Sequence, residues 1–132
     1  MMESVVLEEW FAAAPEKVYR AGLNSRAHAA FTGGEAAIDP VPGGEFSAWD
    51  GYIVGTTIEL DPPRRIVQSW RTSEFPPDAP DSRLMLELHA ERGGTRLVLS
   101  HTEIPAGQGA DYAQGWIDNY FEPMQRYFAP AR

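Results

Sequence analysis

The segment Leu84-Met85-Leu86-Glu87-Leu88-His89-Ala90-Glu91-Arg92-Gly93-Gly94-Thr95-Arg96-Leu97-Val98-Leu99-Ser100-His101-Thr102-Glu103 decides the fold. Two apolar runs of period two flank a pair of glycines, and such a pair predicts a tight hairpin because the favoured turns need positive φ at their centre. With Gly93 and Gly94 as the two loop residues, Arg92 faces Thr95, Ala90 faces Leu97, Leu88 faces Leu99, Leu86 faces His101 and Leu84 faces Glu103. Opposed residues share a sheet face. One face is therefore Leu84, Leu86, Leu88, Leu97, Leu99 and His101, with Glu103 at its end. The other carries Met85, Glu87, His89, Glu91, Arg96, Val98 and Ser100, with Glu91 opposite Arg96. A one-residue slip would set leucines against charges, so the faces are well specified.

Period-two patterning extends upstream. Asp61-Pro62-Pro63 breaks one strand pair, and a three-residue loop of Pro62 to Arg64 sets Leu60 by Ile66, Ile58 by Gln68 and Thr56 by Trp70. Asp50-Gly51 marks another hairpin, but a two-residue turn there sets Phe46 opposite Gly55 and off the Ile58 face. Gly55 is the candidate for a bulge that resets the alternation. Ser73 to Ser82 holds three prolines and Phe75 and reads as a loop, with Phe75 a candidate lid residue. Ser4 to Phe11 reads as a first strand with Val5, Leu7 and Phe11 on one face. Pro15 opens a short helix ended by Gly22, and Ser25 is the expected cap of a second through Phe31, stopped by Gly33-Gly34.

The tail from Asp111 to Phe128 reads as a helix. At about 100° per residue, Trp116, Tyr120, Ala113, Met124, Ile117 and Phe121 fill one arc together with Tyr127 and Phe128, and polar residues fill the rest. Pro123 is expected to kink it. A strand, two short helices, about six strands and a long helix make an α+β chain, a sheet of six to seven strands with the terminal helix covering its apolar face. At 132 residues the chain is expected to form one domain over 1–132.

Composition narrows the function. Cysteine is absent, which excludes disulfides, thiolate metal sites and a cysteine nucleophile. The formal charge of −8 with no basic cluster argues against nucleic acid and anionic membranes. No stretch approaches the ~20 apolar residues of a membrane span and no leader pattern opens the chain, so a cytoplasmic location is expected. One lysine against ten arginines is a composition associated with GC-rich bacterial genomes.

The histidines lack metal-ligand spacing, so neither metal nor cofactor is expected. No nucleophile elbow, phosphate loop or dinucleotide fingerprint is present, and no catalytic residue is assigned. His101, inward among leucines, is either a core histidine with internal partners or a polar anchor in an apolar pocket. His89 is expected outward, and His28 lies on a short helix. Trp70 on the sheet and Trp116, Tyr120 and Tyr127 on the helix either line a space or fill it. Trp49 and Tyr52 flank the Asp50-Gly51 turn as a cross-strand pair. The candidate ligand site is a cavity between sheet and helix bounded by Trp70, Leu86, Leu99, His101, Trp116 and Tyr120.

The order and spacing of Ala14-Pro15-Glu16-Lys17-Val18-Tyr19, Gly43-Gly44-Glu45-Phe46, Asp50-Gly51, Pro63-Arg64-Arg65-Ile66-Val67-Gln68-Ser69-Trp70-Arg71, Gly94-Thr95-Arg96-Leu97, Ser100-His101 and Gly115-Trp116 carry a family resemblance. Across nearly its whole length the chain resembles bacterial proteins similar to the C-terminal domain of the Hsp90 ATPase activator, in the START-like (Bet v 1-like) superfamily. The resemblance implies a helix-grip fold, a curved antiparallel sheet wrapped around the C-terminal helix and an apolar cavity. Superfamily members bind lipids, sterols, polyketides or other hydrophobic molecules, and some are enzymes. The partners it leaves in play are a small hydrophobic molecule, a chaperone of the Hsp90 kind and a second copy of the chain. An enzyme acting on a hydrophobic substrate would use His101 with a neighbouring tyrosine as its acid–base pair.

Overall fold

The computed structural model describes residues 2–129. Strand β1 (Glu3–Phe11) is followed by helices α1 (Pro15–Leu23) and α2 (Ser25–Thr32). Then come β2 (Ala37–Ile38), β3 (Glu45–Ala48), β4 (Ile53–Asp61), β5 (Arg65–Thr72), β6 (Ser82–Glu91) and β7 (Gly94–Ile104). The chain closes with α3 (Gly109–Trp116), a π-helical segment (Ile117–Phe121) and α4 (Glu122–Tyr127), one continuous run of helix. The strands form one curved seven-stranded sheet in the order β1-β7-β6-β5-β4-β3-β2. Every pairing is antiparallel, so the expected α+β helix-grip architecture holds. No described helix is long and apolar enough to cross a membrane.

The β6–β7 hairpin turns at Arg92-Gly93, with Glu91 opposite Gly94, Leu88 opposite Leu97, Leu86 opposite Leu99 and Leu84 opposite His101. The register is thus offset by two residues from the expected one. Gly94 is committed elsewhere: a Cβ on it would lie 2.2 Å from the Phe11 carbonyl oxygen and 2.7 Å from the Trp10 ring. Its place in the turn goes to Arg92, which accepts a φ of 50° beside Gly93 at 73°. A shift of two preserves the faces, and Leu84, Leu88, Leu97, Leu99 and His101 are all buried. Arg96 now faces His89, yet its Nε still reaches Glu91 at 3.2 Å, and its Nη1 reaches Glu8 at 2.6 Å.

Single-residue bulges do change faces. In β7 an extra residue between His101 and Ile104 puts Glu103 at φ 60° and turns it into solvent, while Ile104 points inward. Glu103 therefore leaves the face expected for it. In β4 the loop of Pro62 to Arg64 pairs Leu60 with Ile66 as expected, and the Asp50-Gly51 turn pairs Phe46 with Gly55 as expected. The two registers are reconciled at Ile58, which is bulged out and 47% exposed. The bulge is not at Gly55. That glycine is required by close approach, since a Cβ there would sit 2.0 Å from the Ser69 carbonyl oxygen and 2.7 Å from the Phe46 ring.

The helices pack on the inner face. Pro15 occupies the first turn of α1, where no N–H is needed, but the helix runs past Gly22 to Leu23. The cap of α2 is Asn24, whose Oδ1 accepts from the Ala27 N–H at 2.8 Å. Ser25 instead holds β2, its Oγ accepting from the Ile38 N–H at 2.8 Å. In the terminal helix the Glu122 N–H donates to the Ile117 carbonyl, five residues back, and the π segment ends just before Pro123. A π turn inserts one residue and rotates the next stretch of helix by about 100°. The buried residues are accordingly Tyr112, Trp116, Phe121, Met124 and Phe128, with a step of five across the π turn. Tyr112 joins the inward face and Tyr127, expected there, is 43% exposed.

Candidate functional site

His101 comes from β7, Ser82 from the start of β6, Trp70 from β5 and Trp116 from the end of α3. The Trp116 indole Nε1–H donates to His101 Nδ1 at 3.1 Å. An indole can only donate, so Nδ1 carries the lone pair and Nε2 the proton. Nε2–H then donates to Ser82 Oγ at 2.8 Å, and Ser82 Oγ–H donates to the Trp70 carbonyl at 2.7 Å. Every polar atom in this chain has a partner. Burial holds the imidazole neutral, its pKa lowered to about 4. His101 is a satisfied core histidine.

Five of the six expected site residues, Trp70, Leu86, Leu99, Trp116 and Tyr120, do line a space between sheet and helix. His101 does not line it; it is fully buried, its ring edge-on to Trp70 at 4.5 Å. The space is about 80 Å³. Ligand pockets run to roughly 300–1,000 Å³, so most of the expected cavity is filled by side chains. Its polar lining includes Tyr19, Ser47, Gln68 and, on α2, His28, which is buried with its Nδ1 unpartnered. Desolvation lowers its pKa to about 4. Its ring sits 5.3 Å from Tyr120 and 5.1 Å from Phe31.

A larger cleft of about 440 Å³ adjoins this cavity. Ile53, Trp70, Trp116 and Tyr120 form a wall common to both. The β3–β4 turn adds Trp49 and Tyr52, the loop after β5 adds Glu74, and α3 adds Asp111, Tyr112 and Gly115. The Tyr52 hydroxyl donates to Glu74 Oε2 in a short bond, and burial with that carboxylate pushes the phenol up to about 12. Burial also raises Tyr112 and Tyr120. The Tyr112 hydroxyl donates to Gln108 Oε1 at 2.6 Å and lies 2.7 Å from Thr72 Oγ1.

Phe75, the expected lid, is buried against Trp70 at 6.1 Å and Tyr112 at 6.0 Å and lines neither space. Sequence reasoning missed Tyr112, Glu74 and the role of His28. The i,i+4 spacing of Tyr112 to Trp116 and the i,i+3 spacing of His28 to Phe31 were the available signals. Among the described residues no group of three His, Asp or Glu side chains is placed to hold a metal ion.

The family described as Activator of Hsp90 ATPase homolog 1-like protein matches residues 12–129. The chain is 31% identical over 124 residues to the mouse activator of 90 kDa heat shock protein ATPase homolog 1, covering 94% of this chain and 36% of that protein. It thus spans about a third of the length of the curated relatives it matches. An HSP90 activator from Plasmodium falciparum superposes with a TM-score of 0.86 at 25% identity, with 94% of each chain covered. Ara h 8.0201 shares the fold alone, with a TM-score of 0.76 at 13% identity over 97% of this chain and 98% of that one. The chain belongs to the Activator of Hsp90 ATPase homolog 1-like family, on the Bet v 1-like helix-grip fold.

Proposed function

We propose that this protein binds a small molecule with an apolar body in the cleft between the β3–β4 turn and α3. The observation that carries the reading is the cleft itself, about 440 Å³ in volume and lined by the rings of Trp49, Tyr52, Trp70, Tyr112, Trp116 and Tyr120. The cleft has the size of a small-molecule site, mostly apolar with a few polar groups at its edge. His101, the expected acid–base residue, is fully engaged and lines neither space. Binding, as carrier or sensor, is the activity the geometry supports.

Titration with the neutral dye Nile red tests it. Saturable binding to the parent and its loss in Gly115→Leu, which fills the cleft from the helix side, is the expected pattern. Absence of saturable binding to the parent rejects the reading.

A second reading, a module that engages an Hsp90-type chaperone, is favoured by the 31% identity over 94% of the chain to the mouse activator. It predicts faster ATP turnover by Hsp90 when this protein is added. Unchanged turnover at saturating protein rejects it.

A further inference from the structure

Resting on the ligand-binding reading, we infer that the cleft selects a ligand bearing a cationic ammonium group, held by aromatic faces and two rim carboxylates. Trp49 meets Tyr120 at 78° with centroids 6.2 Å apart, and Trp70 meets Tyr112 at 81° and 5.0 Å. Rings meeting near right angles present π-faces in more than one direction, the arrangement that surrounds an alkylated ammonium. Among the described lining residues the only charged groups are Glu74 and Asp111; no lysine, arginine or histidine borders the cleft. The nearest arginine in sequence, Arg71, is committed to Asp81 at 2.7 Å and to the Phe75 ring at 5.4 Å.

Glu74 is held in place on three sides. Its carboxylate accepts from the Tyr52 hydroxyl, its backbone N–H donates to Thr72 Oγ1 at 3.1 Å, and its carbonyl accepts from Gln108 Nε2 at 3.1 Å. A carboxylate fixed at the mouth of an apolar recess attracts a cation and opposes an anion, in a protein whose net charge is already −8.

Gly115 supplies the third observation. It lies inside a helix, where glycine is unfavourable, and no packing requires it. A Cβ there would meet only Asn119 Nδ2, at 3.8 Å. Its effect is to leave the cleft floor open.

The test is a set of three probes of equal shape and different charge: choline, its carbon isostere 3,3-dimethylbutanol, and the anion 3,3-dimethylbutyrate. Binding is read by NMR at the Gly115 amide and the indoles of Trp49, Trp70 and Trp116. Choline is expected to bind about tenfold more tightly than the isostere, with the anion weakest. Glu74→Gln with Asp111→Asn, both at exposed sites, should lower that ratio at least threefold. An isostere binding as tightly as choline, or a ratio unmoved by the double substitution, overturns the inference. If Nile red saturates while the three probes do not discriminate, only the charge selection falls. If neither the dye nor any probe binds, the ligand-binding reading falls with it.

Discussion

Trp116 donates its indole N–H to His101 Nδ1 at 3.1 Å, and this one bond decides what the histidine is. With Nδ1 occupied as an acceptor, a second proton would have to point at an existing N–H. The imidazole is therefore a neutral link between helix and sheet, passing its own proton to Ser82. It ties α3 to β7, β6 and β5 in the middle of the sheet.

His101→Leu should cost roughly 2–4 kcal/mol, because the buried Trp116 N–H loses its acceptor. Urea denaturation measures this. Nile red affinity should stay within about threefold, since His101 lines neither space. A large loss of dye affinity at unchanged stability would identify His101 as a ligand contact.

Acidification should destabilise the protein in a defined window. His28 and His101 have folded pKa values lowered by burial to about 4, against about 6.5 when unfolded. Between these values the unfolded chain holds more protons, so stability rises with pH there. It is complete above 6.5 and is lost as pH falls toward 4, on the order of 3 kcal/mol for each histidine. Urea midpoints measured from pH 8 to pH 4 should show the slope, and His28→Leu should remove about half of it. A flat profile would contradict the burial of both rings.

Tyr120→Ala separates a packed core from a bordered space. The ring contacts His28, Phe31, Trp49 and Trp116, yet it is only partly buried and faces both cavity and cleft. The expected cost is about 2 kcal/mol, below the ~3–5 kcal/mol of a fully packed aromatic. Nile red affinity should change several-fold. A loss above 4 kcal/mol with no effect on the dye would mean that the residue only packs.

Gly115→Ala should stabilise the protein by about 0.5–1 kcal/mol, the helix propensity recovered where a methyl group meets open space. Thermal unfolding reads it as a raised Tm. A lowered Tm would show that the helix needs a glycine there for another reason.

The faces of the central hairpin were legible because a β-strand alternates with period two. Placing the turn at Gly93-Gly94 was off by two residues in pairing, yet every side chain from Leu84 to His101 kept its face. The helix was equally legible as an element, since Trp116, Phe121 and Met124 all point inward as its pattern requires. Four of the five expected residues that line the inner cavity, Leu86, Leu99, Trp116 and Tyr120, came from these two patterns.

One-residue events were not legible. The bulges at Ile58 and Glu103 and the π turn before Pro123 each reverse or rotate the residues after them. Conflicting registers called for a bulge in β4 but at Gly55, Pro123 called for a kink but not for its π form, and nothing local announced the bulge at Glu103. They exist because strands of different register, or a helix crossing a curved sheet, must satisfy several neighbours together. Tyr127, which follows the π turn, was lost from the inner face by the same cause.

By itself, the sequence determined the α+β order of strands and helices and the faces of the central hairpin from Leu84 to His101, because these depend on local periodicity, while the helix-grip arrangement was what the family resemblance implied. Only the tertiary structure decided that His101 is spent on Trp116 and Ser82, that His28 faces the inner cavity, and that the larger space lies beside it, across the wall of Ile53, Trp70, Trp116 and Tyr120. The physical reason is that hydrogen-bond partners and unfilled volume are set by side chains distant in sequence, brought together only when sheet and helix pack.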